Sequence, residues 1–428
     1  MKKTFGLILM VAVLAASLLM TRPVSSQETI PVTITDLGLS DGIAADVNES
    51  GQVTGRYGDY FNGEYEIHAY IWTTTEGLND LGSGEAYSIN DLGQVVGDYQ
   101  LESSIPYSTN IHATLWTDGI QQDIHTLVTW RDSIAYDINN YGQVVGCMLK
   151  DPCYGFDCWS RAWDGAFIWT EETGMQDLSA LTGETLTCAY DINENGQIVG
   201  DSESGPFVWS ETNGIQYITD NSEDHAYSIN DAGQVAGMLS GNDIYVWSNN
   251  VMNLLGISAS GSEYVLINDL GQVTGSTSVD GETRAFLWDL DLEINLLYLP
   301  HLDIEFPMSY GARSNNSGQV AGASNGYPVL WTIELPPPVP QEQIALIATK
   351  VDVLVTAGTL EQGEGTALIA KLDAATLQLN KENFKATSNI LGAFINTVEA
   401  FVNSDRLTPA QAQPLIDATN VVIDSLPQ

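Results

Sequence analysis

Two spacings of apolar residues divide the chain. From Gln27 to about Thr332, apolar runs of four or five residues recur between Gly, Asn or Asp, and none keeps a helical period over a useful length. Such runs, rich in Val, Ile, Leu and aromatics, predict short β-strands. Beyond residue 342 the spacing becomes three to four. It runs through Ile344, Ile347, Val351 and Leu354, then Leu368, Leu372, Ala375 and Leu379. It continues through Ile390, Phe394, Val398 and Phe401, then Leu415, Ala418, Val422 and Ile423. This predicts three or four helices in a small antiparallel bundle, broken at Gly358, Gly363–Gly365, Asn380 and Asp405–Pro409. The apolar stripes read as bundle core and not as a partner groove. Between the two regions, Leu335-Pro336-Pro337-Pro338-Val339-Pro340 is a stiff, extended linker. The expected divisions are a strand region over 27–333, a linker over 334–341 and a helical bundle over 342–428.

The strand region repeats. A string N-x-x-G-Q-[VI] begins at Asn48, Asn90, Asn139, Asn193, Asn230, Asn268 and Asn315, at spacings of 42, 49, 54, 37, 38 and 47 residues. Each string is followed by a strand ending in Trp: Trp72, Trp116, Trp169, Trp209, Trp247, Trp288 and Trp331. A period of this size marks a repeat architecture. Each unit reads as four strands, in the second unit Leu78–Leu81, Ala86–Asn90, Gln94–Gly97 and His112–Trp116. In N-x-x-G the Asn opens a type I turn and the Gly takes the left-handed position at no steric cost. The last unit lacks the strand that should follow its Trp. Ile34-Thr35-Asp36-Leu37-Gly38 matches Leu78-Asn79-Asp80-Leu81-Gly82 and can supply it. Closure of that kind removes exposed sheet edges. The expected fold is an all-β seven-bladed β-propeller of four-stranded blades, closed by the N-terminal strand and followed by a small α-helical bundle. The expected strand order places Ala-x-x-Ile-Asn innermost, then Gln-Val-Val-Gly, the Trp strand, and Asp-Leu-Gly outermost. The seven tryptophans become structural wedges between blades.

These motifs resemble the extracellular repeat family named for its His-Ala-Phe motif (HAF). The pattern stands here as His68-Ala69-Tyr70-Ile71-Trp72, His112-Ala113-Thr114-Leu115-Trp116 and Arg284-Ala285-Phe286-Leu287-Trp288, joined to Ile-Asn-x-x-Gly-Gln-Val-Val-Gly and Asp-Leu-Gly. The resemblance covers about residues 30–333. It implies secretion and a propeller-like fold, and it brings no agreed activity and no catalytic residues. The His is absent from most units, with Tyr245, Arg284 and Tyr327 at or near its place, which argues against a shared His chemistry. Leu391–Phe401 is similar to a helical module appended to many secreted bacterial proteins, which implies attachment or protein contact.

Charge narrows the partners. The 428 residues carry 14 Lys+Arg against 55 Asp+Glu, a net charge of −41, with 44% apolar residues, enough for a packed core. Such a field repels nucleic acid and anionic membrane surfaces and leaves cations, basic proteins or neutral glycans. Its plainest reading is solubility or adaptation to salt. Lys2, Lys3, the apolar stretch Phe5–Met20 and Val24-Ser25-Ser26 read as a signal peptide over 1–26, so a secreted, extracellular or periplasmic chain starting at Gln27 is expected. No later stretch approaches the ~18 apolar residues of a membrane span. A monomer is expected. Four cysteines suit that compartment. The favoured pairings are Cys153–Cys158, closing a local loop, and Cys147–Cys188, tying neighbouring units. A metal site is the rival, although it lacks a CxxC pair and a nearby His.

No reaction is spelled out. Gly38-Leu39-Ser40-Asp41-Gly42 matches G-x-S-x-G but joins two strands of a β unit and not a strand to a helix. His68, His112, His125, His225 and His301 show no HExxH spacing. Asp191-Ile192-Asn193-Glu194-Asn195-Gly196 resembles the start of a calcium loop, yet strands flank it and Val199 stands at its ninth position. The equivalents of Asp191 are Ser88, Ser228, Leu266 and Arg313. No catalytic residue, metal ligand or cofactor is therefore assigned, calcium being the one cation to keep in view. One asymmetry is informative. Turn Asn to Trp spans 24, 26 and 30 residues in units one to three, against 16, 17, 20 and 16 in units four to seven. The inserts share one face and carry Tyr57, Tyr60, Phe61, Tyr65, Tyr99, Tyr107, Tyr154, Phe156, Trp159 and Trp163. Long aromatic loops on a rigid scaffold suit binding, and the candidate site is Tyr60, Phe61, Tyr65, Tyr107, Tyr154, Phe156, Trp159 and Trp163. The expected function is a secreted, non-catalytic scaffold for extracellular protein or glycan. The alternatives are a polysaccharide hydrolase or lyase with a carboxylate pair on the propeller face, and a structural matrix protein.

Overall fold

The structure is a computed structural model that describes residues 30–61, 64–101, 111–127, 129–149, 163–260, 264–289, 296–302, 308–334, 339–356, 359–404 and 406–427. Residues 1–26, read above as a signal peptide, lie outside them, as do Tyr107, Cys153, Tyr154, Phe156, Cys158 and Trp159. The described strands form five antiparallel sheets of four strands and one of eight. The second unit supplies Glu85–Ile89, Val95–Gln100, Ile111–Thr117 and Ile120–Asp123, hydrogen-bonded in that order. The eight-stranded sheet is two such quartets joined where Cys147 pairs with Cys188, and these two cysteines form a disulfide. The N-terminal strand Val32–Asp36 pairs antiparallel with Tyr327–Ile333, Ile34 opposite Trp331, and is the fourth strand of the last sheet.

The N-x-x-G-Q turn explains why each of its residues is what it is. In the first unit Asn48 Oδ1 accepts the amides of Ser50 (3.2 Å) and Gln52 (2.9 Å), and Gly51 sits at φ +78°. Asn48 Nδ2 donates to Gln52 Oε1 (2.8 Å) and to the carbonyl of Asn90 in the next unit (3.0 Å). An amide with two donors and an acceptor is needed to do all four. The link between units recurs from Asn90 to Asn139, then to Asn193, Asn230, Asn268 and Asn315, and from Asn315 back to Asn48, at 2.9–3.2 Å. The described residues thus contain a closed circuit of seven buried asparagines.

Apolar contacts between sheets surround several of the tryptophans. Trp116 clusters with Ala69 and Leu81 of the preceding sheet, Trp247 with Val199 and Val208, and Trp331 with Ala285, Leu287 and Leu299. Trp209 and Trp288 are only half-buried.

Covalent and polar contacts also join neighbouring units, at one repeated place. Eight residues after its turn asparagine, one unit faces the residue five before the asparagine of the next. Arg56 Nε meets Glu85 Oε2 there at 3.2 Å, Cys147 is bonded to Cys188, and Asp201 Oδ2 meets His225 Nδ1 at 2.6 Å.

A five-residue helix, α1 (Leu178–Thr182), interrupts the strands. The C-terminal region holds α2 (Pro340–Thr356), α3 (Gln362–Leu379), α4 (Phe384–Asn403) and α5 (Pro409–Ser425). Their shared core includes Ile347, Val351, Leu372, Leu391, Phe394 and Leu415. Two expectations need correction. Helix α2 begins at Pro340, inside the span assigned to the linker, because proline's fixed φ suits a first helical turn. Gly363-Glu364-Gly365 does not break a helix but forms the first turn of α3, capped by the reciprocal hydrogen bonds of Glu361 and Glu364. A Cβ on Gly365 would lie 2.1 Å from Val355 Cγ2, so glycine is there for close approach of α2. Among the described residues, no helix is long and apolar enough to cross a membrane.

Candidate ligand-binding face

Each inner strand runs into its N-x-x-G turn, so residues before the asparagine step away from the turns towards the opposite face. In five inner strands the pairing slips between the residues four and two before the asparagine. Ala86 pairs with Gly97 and Ser88 with Val96, leaving Tyr87 as an extra, bulged residue. The same slip leaves Tyr136, Tyr190 and Tyr227 unpaired. A bulge re-aims the side chain it carries. It also needs glycine opposite: a Cβ on Gly97 would lie 1.9 Å from the Glu85 carbonyl.

The bulged tyrosines form a row. Ring centroids are 5.3 Å apart for Tyr87 and Tyr136, 5.7 Å for Tyr136 and Tyr190, and 5.4 Å for Tyr190 and Tyr227. Tyr264 touches three of them, at 6.2 Å from Tyr136, 5.9 Å from Tyr190 and 5.1 Å from Tyr227, and is 44% exposed. The rings meet tilted or edge to face, the favoured arrangement of their quadrupoles. Their hydroxyls point at acceptors: Tyr87 donates to Glu85 Oε2 and Tyr190 to Asp201 Oδ2, both at 3.1 Å. Burial, with neighbouring negative charge, raises the hydroxyls of Tyr87, Tyr136 and Tyr190 well above the ordinary phenol range, so they stay neutral.

Carboxylates border the row. Asp201 holds His225, and this hydrogen bond raises the imidazole's pKa against the opposing effect of burial. Asp98 occupies the equivalent place one sheet earlier than the Cys147 staple, and there the next unit offers Ile134 and no cation. Asp98 is 7% exposed. Burial and the charge of Glu85, its cross-strand neighbour, push it up to about 8, against the Tyr87 hydroxyl and Arg56. Glu85 itself is tied to Arg56. Asp98 is therefore held protonated at neutral pH beside the Arg56-paired Glu85.

Below the row, one residue nearer the turns, lie the side chains two before each asparagine. Arg313 reaches inward from the last unit. Its guanidinium meets Asp191 Oδ1 at 3.2 Å and Asp137 Oδ1 at 3.1 Å, with Asp46 Oδ1 at 3.7 Å. Their second oxygens accept backbone amides of neighbouring units: Ile89 on Asp46, Ile192 on Asp137 and Ile229 on Asp191. Burial raises Asp137 far above the carboxylate range. Burial also acts on Asp191, but Arg313 and the hydrogen bonds from Asp137, Ser228 and Ile229 outweigh it and hold that carboxyl low. Both oxygens of Asp191, the first residue of the calcium-like string, are thus already engaged. Among the described residues, no group of three His, Cys, Asp or Glu is placed to hold a metal ion.

Of the insert residues singled out from the sequence, Trp163 reaches the row, at the Tyr136 hydroxyl. Tyr60 and Tyr65 pack edge to face on each other at 5.6 Å, and Tyr65 donates to Asp41, so their contacts stay within the first unit. Phe61 ends the strand Val53–Phe61, and its side chain lies outside the described residues, with Tyr107, Tyr154, Phe156 and Trp159. The motif histidines are intrasheet partners: His68 Nδ1 meets Asp80 at 2.9 Å and His112 Nδ1 meets Asp123 at 2.8 Å, each joining a Trp strand to its outer strand. Sequence reasoning passed over Tyr87, Tyr136, Tyr190 and Tyr227. Their signal was present, as Ala-Tyr-x-Ile-Asn in four units.

No protein-family model matches the chain, and no curated protein does. Solved structures share a likeness of shape. The β-propeller domain of the Trilobed protease from Pyrococcus furiosus is 11% identical, with TM-score 0.42 over 68% of this chain and 93% of that one. An acylaminoacyl peptidase from Pyrococcus horikoshii is 11% identical, with TM-score 0.35 over 66% of this chain and 50% of that one. A putative gluconolactonase is 6% identical, with TM-score 0.34 over 71% of this chain and 93% of that one. At these identities and scores the likeness assigns this chain neither an activity nor a ligand.

Proposed function

We propose that the repeat region is a seven-bladed β-propeller of the HAF type, closed by its N-terminal strand, and that it binds a glycan on the tyrosine row outside the cell. The closed circuit of seven asparagines and the pairing of Val32–Asp36 with the last sheet support the blade number and the closure. The disulfide, the charge and the N-terminal sequence favour secretion. A single observation carries the binding function: five tyrosines converge beside Asp98 and Asp201, with Trp163 reaching the same row. Sugar C–H faces stack on such rings, and sugar hydroxyls hydrogen-bond to such carboxyl groups. The helical region acts as a docking or spacer unit, and the chain works as a monomer.

The test is a glycan array probed with the full secreted chain and its Tyr264→Ala variant, which removes an exposed ring and leaves the core intact. A selective signal that falls at least about tenfold in the variant supports the assignment. A blank array, or a signal indifferent to Tyr264, removes the glycan and moves the case to protein ligands. The cross-strand neighbours Asp98 and Glu85, the first of them held protonated, favour a second reading, a hydrolase using the two as acid and base. Release of reducing ends from a bound glycan, abolished in Asp98→Asn, distinguishes it from simple binding.

A further inference from the structure

The opposite face carries a second site. The residues after each turn asparagine form their own ring. The amide of Glu49 donates to Asp91, that of Asn140 to Glu194, that of Glu194 to Asp231 and that of Asp231 to Asp269, at 2.9–3.0 Å. Helices α2 and α5 stand over this ring and enclose, with the turns, a cavity of about 730 Å³. That volume lies in the range of small-molecule sites, which favour junctions between domains. Its apolar lining includes Leu346, Leu415 and Val421 on the helices and Leu270 on a turn. Its polar and charged lining includes Asp231, Asp269, Asn316, Gln343 and Lys350.

Two features of the polar lining call for a ligand. Asn316 Oδ1 and Gln343 Oε1 are buried acceptors without a hydrogen-bond partner, and leaving such atoms unpaired is costly. Charge of both signs also lies close together. Lys350 favours the ionised form of Asp231 and of Glu49, yet burial and Asp269 still push Asp231 up to about 6. The carboxylates outnumber the lysine, so a further cation is favoured beside them, while Lys350 remains able to meet an anion.

We propose that this cavity binds a short apolar peptide by its free ends. Its ammonium sits against Asp231 and Asp269 and its carboxylate against Lys350, N–H groups of its ammonium and its peptide bond meet Asn316 Oδ1 and Gln343 Oε1, and its side chains lie along Leu346, Leu415 and Val421.

The probe is the dipeptide Leu-Leu, titrated calorimetrically into the full chain. Saturable binding is expected, weakened at least about tenfold by N-acetylation of the peptide, since a charge-assisted hydrogen bond is lost. Asp231→Asn should weaken Leu-Leu by a similar factor and leave N-acetyl-Leu-Leu unchanged. Lys350→Gln should erase the preference for Leu-Leu over its C-terminal amide. Val421→Trp, which fills part of the cavity, should block all three peptides. No binding of Leu-Leu overturns the proposal, as does equal binding of the free and acetylated peptides. The site is separate from the tyrosine row, so glycan binding should survive Asp231→Asn whichever way the titration falls.

Discussion

At the scale of single residues, the sharpest consequence concerns Asp98. Its carboxyl is buried beside Glu85 without the cation or sulfur partner that neighbouring units place there. Its folded pKa, about 8, exceeds the ordinary value of 3.8. The native chain therefore keeps a proton that the unfolded chain has released. The stability this gives is complete below about pH 4 and is lost as pH rises towards 8. One such proton is worth about 1.4 kcal/mol per pH unit within the window. In urea unfolding between pH 5 and 8, Asp98→Asn should flatten the decline by about that slope. An unchanged pH profile would show that Asp98 ionises normally in the folded chain. None of this was legible from the sequence, where Asp98 is one acid among 55. Its state depends on Ile134 and Glu85, which become neighbours only after strands pair.

At the scale of the element, the five-residue turn shows how far local rules reach. The type I turn and its left-handed glycine follow from Asn and Gly alone, and the structure has both. The roles of the glutamine and of the asparagine's second donor do not follow, because one needs the turn folded and the other needs the next unit, 37 to 54 residues away. Asn193→Asp separates the two roles. Aspartate still accepts the amides of Asn195 and Gln197 but puts an oxygen against the carbonyl of Asn230 and against Gln197 Oε1. The turn should persist while stability falls by about 1–3 kcal/mol, the cost of unpaired buried groups, read by chemical denaturation. An Asn193→Asp chain as stable as the parent would deny the circuit any energetic role. The bulges were hidden for a related reason. Tyr87 reads as an ordinary strand residue until pairing shows that Ala86 and Ser88 are the ones with partners. In the helical region the apolar stripes did fix the core. Gly365, by contrast, looked like a breaker, because the approach of Val355 is invisible along the chain.

At the scale of the whole molecule, Arg313 draws distant units together. It comes from the last unit and is bound to aspartates of the first, third and fourth. Removing one partner from a buried charge cluster typically costs 3–5 kcal/mol, far more than the cluster gains over an apolar packing. Arg313→Ala should therefore lose about 3–5 kcal/mol at pH 7, measured by equilibrium unfolding, and less at pH 4, where Asp46 and Asp137 take up protons readily. A loss below about 1 kcal/mol would mark the cluster as incidental. The sequence contained the repeat, the missing last strand and its N-terminal replacement, because each is a matter of counting. It could not say that Arg313, set aside as a mismatch to a calcium pattern, is the residue those aspartates face. The staples between units carry a last consequence. An ion pair, a disulfide and a carboxylate–imidazole pair occupy the same place at three different seams. Brine screens the first, a thiol reductant opens the second, and alkali discharges the third. No single change in the surroundings slackens all three, so the molecule is hedged against a fluctuating habitat seam by seam.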